Sequence, residues 1–330
     1  MIRSRRLGRS DIEVSALGLG CYAIGGEFRV EGGQPWGWTG VSDDESIRAI
    51  QVALDFGINF IDTAQAYGAG HSEAVIGRAI SGRRDEVVLA TKFGKRMDEA
   101  GRQILGSSID PSHVREGLEA SMSRFGTDYI DLFQWHESDG ALEDLPLLLD
   151  LLDALVAEGK IRYYGWSTDD AERAHEMAQR ENCVAVQHRV HVLENPAAVS
   201  AMLAVCDDHD LASINRGPLM MGLLTGKFSE DSTFLVGDVR HSIGFDFSTE
   251  RFGGLLERVD AVREVLTSDG RTMAQGALAW IWARSPRTIP IPGFKDVRQA
   301  TENAGALEFG PLTDEQFGQV ERILGRAEDS

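Results

Sequence analysis

Four polar residues of the sequence stand where short apolar segments end, and their side-chain types suit proton transfer. Asp62 lies at the end of INFIDTA, Lys92 ends EVVLATK and His136 ends YIDLFQWH, while Tyr67 follows Asp62 in DTAQAYG. The segments lack strict polar alternation, which is typical of strands buried on both faces. If these strands are neighbours in one parallel barrel, their carboxyl ends bring the four side chains into one cavity.

Together the four side chains can donate a proton to a carbonyl oxygen. A free tyrosine has a pKa of about 10 and is a poor acid at neutral pH. A lysine cation at about 4 Å favours the phenolate by about 4 kcal/mol at an effective dielectric of 20, or about three pKa units before burial opposes it. We expect Asp62 to keep Lys92 charged and oriented, and His136 to hydrogen-bond the carbonyl oxygen.

Each of these residues also has an ordinary structural interpretation when it is taken singly. Asp62 could cap a helix, Lys92 could be a solvated strand end, and His136 could be a core histidine with satisfied hydrogen bonds. The joint position of all four side chains at consecutive strand ends favours the chemical role.

The elements that must position these residues repeat one pattern: a short apolar segment, a polar turn and a longer stretch of helical period. The apolar segments are 16–23, 58–64, 86–92, 129–136, 161–167, 184–190, 211–217 and 287–293. Strands that alternate with helices imply parallel pairing and right-handed crossovers. At this length we predict an α/β fold, a single (β/α)8 TIM-barrel domain over residues 1–330.

Smaller features refine this prediction. Ser42 and Glu45 have the spacing of a capping box, and Asp110 precedes a proline at the start of another helix. Residues 5–15 predict a β-hairpin that plugs the barrel bottom, and residues 313–326 a final amphipathic helix. The longer segments 25–40 and about 228–252 follow strands, on the side where barrel active sites are built.

The composition excludes several classes of partner. The chain of 330 residues has 33 Lys and Arg against 52 Asp and Glu, a net charge of −19. This acidic balance argues against nucleic acid or an anionic membrane surface as the main partner, and no apolar run is long enough for a membrane span. Cys21, Cys183 and Cys206 lack CxxC spacing, so we expect no disulfide framework, no metal site and a cytoplasmic location.

The sequence resembles the aldo-keto reductase family from end to end. The matching pieces, in the family's order, are RLGRSDIEVSALGLGCYAIGG, PWGW, GINFIDTAQAYGAGHSEAVIGRAI, VVLATKFG, DYIDLFQWH, IRYYGWS, GPLMMGLLTGK and IPGFKDVRQATENAGAL. The layout is most similar to the bacterial branch that also resembles potassium-channel beta subunits. The resemblance implies a catalytic tetrad of Asp62, Tyr67, Lys92 and His136, in agreement with the chemistry expected from the residues.

The resemblance also implies NADP(H) as the cofactor. Gly293 and Lys295 would meet the adenosine 2′-phosphate, and an anion site at a loop-to-helix junction suits a chain of this acidity. The expected cofactor-binding residues are Gly20, Cys21, Tyr22, Asp62, Ser167, Gln187, Arg216, Gly217, Leu219, Gly222, Lys227, Gly293, Lys295, Gln299, Glu302 and Asn303, with Arg298 as an additional helper.

Within this set, the resemblance assigns a part of the cofactor to each group of residues. Gly217, Leu219, Gly222 and Lys227 would meet the pyrophosphate, and Gln299, Glu302 and Asn303 would hold the adenine. Ser167 and Gln187 would hydrogen-bond the nicotinamide amide, and Tyr22 would line the nicotinamide mouth with Gly20 and Cys21. Trp36 and Trp38 could form a wall of the substrate-binding site. Packing of the two side chains within their own loop is an equally weighted alternative.

Three positions depart from the family pattern. Thr168 replaces a common Asn, Gly217 replaces a common Ser, and Arg216 stands where an aromatic residue usually stacks under the nicotinamide. An arginine plane can also stack, and it adds charge. The sequence Gly18–Ala23 imitates a Rossmann glycine turn, but a Gly- and Trp-rich loop follows it where a helix is required.

These observations predict an enzyme that reduces an aldehyde, ketone or keto-sugar with NADP(H), or oxidises the alcohol in reverse. Its partners would be small molecules, on a monomer or a homo-oligomer. Two alternatives remain: a non-catalytic NADP(H)-sensing subunit, and a barrel lyase or aldolase with Lys92 as a Schiff base.

Overall fold

A ring of eight parallel strands forms the centre of the computed structural model, which describes residues 4–326. The strands are β1 (Ser4–Arg6), β2 (Glu13–Ser15), β3 (Gly18–Gly20), β4 (Glu27–Arg29), β5 (Pro35–Gly37), β6 (Phe60–Asp62), β7 (Val88–Phe93), β8 (Lys95–Asp98), β9 (Gln103–Ser107), β10 (Ile130–Trp135), β11 (Ile161–Ser167), β12 (Cys183–Arg189), β13 (Ala212–Arg216) and β14 (Thr288–Pro290). The helices are α1 (Asp43–Asp55), α2 (His71–Ala79), α3 (Pro111–Phe125), α4 (Leu145–Ala157), α5 (Ala171–Met177), α6 (Pro196–Asp208), α7 (Val239–Ser242), α8 (Glu250–Leu266), α9 (Met273–Arg284), α10 (Val297–Phe309) and α11 (Asp314–Ile323).

The barrel strands pair in the order β3-β6-β7-β10-β11-β12-β13-β14, and all seven pairings are parallel. The ring closes where Gly20 pairs in parallel with Gly293, and the Gly20 amide donates to the carbonyl oxygen of Pro292 at 3.0 Å. The predicted (β/α)8 fold is confirmed. The few residues at each end of the predicted 1–330 domain lie outside the described part of the chain.

The inside of the barrel is filled by apolar side chains from alternate strand positions. Phe60, Val88, Leu132 and Ile214 belong to this interior cluster, and each is at most 8% exposed. The antiparallel pair β1 and β2 closes the bottom, because Leu7, Ile12 and Val14 of this hairpin pack into the same cluster. The predicted plug is therefore confirmed.

A second, larger apolar cluster lies between the outer face of the barrel and the helices. Helix α3 begins as predicted, with the Asp110 carboxylate accepting from the Ser112 amide ahead of Pro111. The predicted final helix is present as α11. The capping box predicted for α1 is wrong. Ser42 is the N-cap residue, but its side chain makes no capping hydrogen bond. The Glu45 carboxylate accepts a hydrogen bond from the Val297 amide of α10 instead.

The two long segments after β3 and β13 meet above the carboxyl ends of the strands. The first forms β4 and β5, which join β8 and β9 in a separate four-stranded sheet. The second carries α7, where Ser242 donates to the Pro35 carbonyl oxygen of β5. Within residues 4–326, no helix combines the length and the apolar character needed to cross a membrane.

Closure of the barrel beside the cavity depends on the absence of a side chain at Gly20. A Cβ atom there would lie 2.4 Å from the Ile291 carbonyl oxygen. We expect Gly20→Ala to lower the free energy of unfolding by about 1–3 kcal/mol, because the backbone would have to shift. Urea unfolding with Gly254→Ala as the control checks this, since Gly254 lies in α8 with open space around it and alanine favours helix there. Equal midpoints for the Gly20 variant and the wild type would contradict the expectation.

Candidate active site

The period of two along each strand explains why polar side chains gather at the carboxyl end of the barrel interior. On β7, Val88 and Ala90 belong to the interior cluster, so Lys92 points the same way. The same alternation places Asp62 after Phe60 on β6, and Gln134 after Leu132 on β10. The pocket therefore results from the strands themselves.

Lys92 is fully buried and uses all three ammonium protons within the protein. Its Nζ donates to Asp62 Oδ2 at 2.7 Å, to the Thr63 carbonyl oxygen at 2.7 Å and to Tyr67 Oη at 3.3 Å. Burial works to lower the pKa of Lys92, but Asp62 and Tyr67 outweigh it and raise that pKa above its ordinary value. The lysine therefore stays charged in a site where an isolated ammonium would lose its proton.

Two glutamines complete the surroundings of the Asp62 carboxylate. Gln187 donates to Asp62 Oδ1 at 2.7 Å, and Gln134 donates to the same oxygen at 3.2 Å. Sequence reasoning missed Gln134, although its place two residues before His136 on an interior-facing strand was a usable signal. The Nε2 atom of Gln187, expected to serve the nicotinamide, is engaged with Asp62 in this structure.

Tyr67 lies on the turn between β6 and α2, with its ring against the cavity. Its ring centroid lies 4.9 Å from that of Tyr22 and 5.7 Å from that of His136. Gly25 permits this position, because a Cβ on residue 25 would lie 2.8 Å from the Tyr67 backbone. Burial raises the pKa of Tyr67 and outweighs the opposing effect of Lys92, so the tyrosine is held as the protonated phenol.

His136 follows β10, and its amide donates to the Phe93 carbonyl oxygen at 2.8 Å. Burial, and then the charges of Lys92, Lys95 and Arg216, lower the pKa of His136 well below its ordinary value. Within residues 4–326 its buried Nδ1 atom has no hydrogen-bond partner. A neutral imidazole at this position can donate one hydrogen bond without carrying a charge.

One cleft of about 1320 Å³ opens above these residues and runs past the ends of the strands. It is lined by every sequence-predicted cofactor and substrate residue, and by Asp62, Tyr67 and His136; Lys92 lies behind Tyr67. Lining residues that sequence reasoning missed include Lys95, Ser107, Glu137 and Arg240. Within the described part of the chain, no cluster of three or more His, Cys, Asp or Glu residues is arranged to hold a metal.

The cleft concentrates positive charge at the start of α10. Burial lowers the pKa of Lys227 and of Lys295, and the nearby Arg240 lowers both further. Arg298 adds to the effect at Lys227. Neighbouring cations that depress one another's pKa form a site that an anion would stabilise.

The loop that carries Lys295 is held by residues expected to meet the adenine. Gln299 accepts from the Lys295 amide at 3.0 Å, and Asn303 donates to the Gly293 carbonyl oxygen at 3.3 Å. Asp296 caps α10 by accepting from the Gln299 amide at 2.7 Å. Glu302 lies in a weak surface pair with Arg298 at 3.6 Å. The loop thus has a defined shape within the protein alone.

Comparison with known proteins decides the family. The Aldo/keto reductase family profile matches residues 17–324. The chain belongs to this family. It is 34% identical to the aldo-keto reductase YhdN of Bacillus subtilis, over 95% of this chain and 91% of that protein. It is 30% identical to the aldo-keto reductase yakc [NADP(+)] of Schizosaccharomyces pombe, over 99% of this chain and 93% of that protein.

A solved structure extends the likeness to three dimensions. The glycerol dehydrogenase AKR11B4 from Gluconobacter oxydans matches with a TM-score of 0.83 and 28% identity, over 99% of this chain and 98% of that one. The resemblance to aldo-keto reductases read from the sequence is therefore confirmed.

The structure shows the surroundings of Arg216, Thr168 and Gly217, the three positions that depart from the family pattern. Arg216 extends into an ion pair with Asp169 at 2.5 Å, so its guanidinium is held at the cleft wall by a carboxylate. Thr168 is buried and donates to the Ser138 carbonyl oxygen at 2.8 Å. Gly217 has a φ of 64°, a conformation that a serine adopts at a cost.

Trp38 links the substrate side of the cleft to the segment after β13. Its ring lies 6.4 Å from that of Tyr22, and the Arg240 guanidinium stacks 4.5 Å from its centroid. Arg240 is buried and fixed by Asp238 at 2.7 Å. Trp36 also lines the cleft. The two tryptophans thus line the cavity, and Trp38 also packs between loops.

The environment of His136 yields a direct test of its charge. Because burial and three nearby cations lower its pKa well below the ordinary value, we expect the imidazole to stay neutral at pH 6. The pH dependence of its Cε1–H resonance in NMR measures this, with His136→Gln to assign the signal. A midpoint at pH 6.5 or above would show that the imidazole is better solvated than the structure indicates.

Proposed function

We propose that this protein is an NADP(H)-dependent carbonyl reductase that acts on a small aldehyde or ketone and runs in reverse as an alcohol dehydrogenase. The observation that carries the proposal is the position of Tyr67 Oη on the cleft, 3.3 Å from the buried Lys92 Nζ. A phenol beside a permanently charged ammonium is a proton donor whose conjugate base is stabilised. Membership of the family supports the reaction class.

The residues divide the work of reduction between them. NADPH, when bound, supplies a hydride to the carbonyl carbon. Tyr67 gives its proton to the carbonyl oxygen, and the C=O group becomes CH–OH. Lys92 stabilises the phenolate that remains, and Asp62 keeps Lys92 charged. Neutral His136 orients the carbonyl oxygen by a hydrogen bond before the proton moves.

The cleft suits a dinucleotide with a phosphate on its adenosine. Lys227, Lys295 and Arg298 would hold that phosphate beside the start of α10. Gln299, Glu302 and Asn303 would border the adenine, and Gly217, Leu219 and Gly222 would offer backbone amides to the pyrophosphate. The Schizosaccharomyces pombe relative carries NADP(+) in its name, which supports the same cofactor here.

The surroundings of Lys92 disfavour the lyase alternative. A Schiff base requires a neutral amine that a substrate carbonyl can reach. Lys92 is fully buried, and its three protons are donated to Asp62, Thr63 and Tyr67. The charge and the position of this lysine therefore suit electrostatic support of Tyr67.

Removal of one hydroxyl tests the proton donor. We expect Tyr67→Phe to lower kcat by about 10²–10⁴-fold, the usual contribution of general acid catalysis, while NADPH affinity changes little. NADPH oxidation with a panel of aldehydes and ketones, combined with NADPH fluorescence titration, measures both. Tyr163→Phe is the matched control, since that hydroxyl bonds Asp11 outside the cleft.

Two results would contradict this assignment. Near-normal turnover in the Tyr67 variant would remove Tyr67 as the proton donor. A wild-type protein that binds NADPH tightly but turns over none of the carbonyl compounds would favour the non-catalytic nucleotide-sensing subunit.

The positive end of the cleft predicts cofactor preference. We expect Lys295→Met to weaken NADPH binding by about 10–100-fold, because one charged hydrogen bond to phosphate is lost. The affinity for NADH, which lacks the 2′-phosphate, should change little. Fluorescence titration of both cofactors measures this, with Lys160→Met as the control because Lys160 pairs with Glu119 on the surface. An equal loss for NADPH and NADH would place Lys295 outside the phosphate site.

A further inference from the structure

A charged cluster that the proposed reaction does not use lies in the cleft beside His136. It consists of Lys95 at the start of β8, Ser107 at the end of β9, and Glu137 directly after His136. Lys95 and Ser107 are register partners across the antiparallel hairpin. Lys95 Nζ donates to Glu137 Oε2 at 2.6 Å and to Ser107 Oγ at 3.0 Å. Ser107 Oγ donates to Glu137 Oε2 at 2.5 Å.

The cluster keeps hydrogen-bonding capacity that faces the cleft. All three residues line the cavity, and the side chains of Lys95 and Glu137 are 26% and 33% exposed. Within residues 4–326, the hydrogen bonds that the Glu137 carboxylate accepts fall on Oε2, so Oε1 is available to a donor. Lys95 Nζ has three protons and makes two of these bonds.

The same cavity also has an aromatic lining. Tyr22, Trp36, Trp38 and Phe28 line it, with Tyr22 against the ring of Tyr67. A cavity that combines apolar rings with a few placed polar groups fixes the orientation of a ligand. The C–H edges of a carbon chain can pack on the rings while its hydroxyl groups point to Lys95 and Glu137.

The charge of the cluster selects against an anionic substrate. Lys95 is compensated by Glu137, whose pKa stays lowered by the Lys95 and Ser107 hydrogen bonds although burial opposes this. Glu31 also lines the cleft and adds negative charge. An anionic substrate would meet no uncompensated cation at this cluster. Neutral hydroxyl groups, which can donate to a carboxylate and accept from an ammonium, fit both members of the pair.

We propose that Lys95, Ser107 and Glu137 form a hydroxyl-binding subsite that makes the enzyme prefer neutral hydroxylated aldehydes or ketones over unsubstituted ones of the same length. The inference rests on the proposed carbonyl reduction and adds the substrate class. His136, Lys95 and Glu137 line the same cleft, and the charge of Lys95 acts on His136, so the bound hydroxyl belongs to a carbon close to the reacting carbonyl.

Two variants test the subsite. The specificity ratio is kcat/KM for glyceraldehyde divided by kcat/KM for propanal, a three-carbon aldehyde without hydroxyl groups. We expect Lys95→Met and Glu137→Gln each to lower this ratio by about 10–100-fold, because each variant removes a hydrogen bond to a charged group. Circular dichroism of each variant shows that the barrel is folded, and Glu137→Gln preserves the shape of the side chain if the lysine variant does not fold.

A role through the catalytic histidine gives a different result. Lys95 also lowers the pKa of His136, so its removal could alter turnover with every carbonyl. Such an effect would change kcat for both aldehydes alike, shift the pH profile and leave the ratio constant, which would overturn the subsite. Lys160→Met is the matched control for the loss of a paired lysine far from the cleft, and it should leave the ratio unchanged.

The failure of the subsite is distinguishable from the failure of the proposed function. A wild-type enzyme that oxidises NADPH with both aldehydes, and variants with an unchanged ratio, would overturn the subsite alone. A wild-type protein without turnover on any carbonyl compound would overturn the proposed reaction and the subsite with it.

Discussion

The buried ion pair between Lys92 and Asp62 is the constraint on which the site depends. Taking an ammonium out of water costs several kcal/mol. An oppositely charged partner offsets this desolvation cost only if the geometry is good and further hydrogen bonds are made. Here the carboxylate lies at 2.7 Å, and Thr63 and Tyr67 accept the remaining protons. Gln134 and Gln187 in turn bond the carboxylate. Each group has its place because the charge of Lys92 must be satisfied, and the phenol of Tyr67 is held at the cleft as one of those acceptors.

The sequence predicted the barrel and the position of three of the four central residues because both follow from periodicity, whereas Tyr67 lies on a turn. Alternation along β6, β7 and β10 places Asp62, Lys92 and His136 at one end of the interior. Gln134 obeys the same rule and was missed because an amide within a strand suggests no chemistry by itself. The sequence predicts that Lys92 lowers the pKa of Tyr67 until burial opposes it, whereas in the structure burial prevails and raises that pKa.

Other features depend on contacts between distant segments and could not be predicted from local pattern. The spacing of Ser42 and Glu45 matched a capping box, but the Val297 amide competes successfully for the Glu45 carboxylate. Arg216 was expected under a nicotinamide ring, and its pairing with Asp169 depends on how the loop after β11 is placed. The subsite around Glu137 likewise requires a hairpin whose position no periodicity determines.

The two ends of the cleft differ in how their charges are compensated, and this difference orients what binds there. At the substrate end Lys95 has a carboxylate partner, and Arg216 has another at the cleft wall. At the other end Lys227 and Lys295 lie near Arg240, whose own partner is Asp238, and their pKa values fall. A phosphate at that end would restore those pKa values, since a nearby anion favours the charged ammonium. An anion therefore gains most beside Lys227 and Lys295, which leaves the paired charges of Lys95 and Glu137 to neutral polar groups.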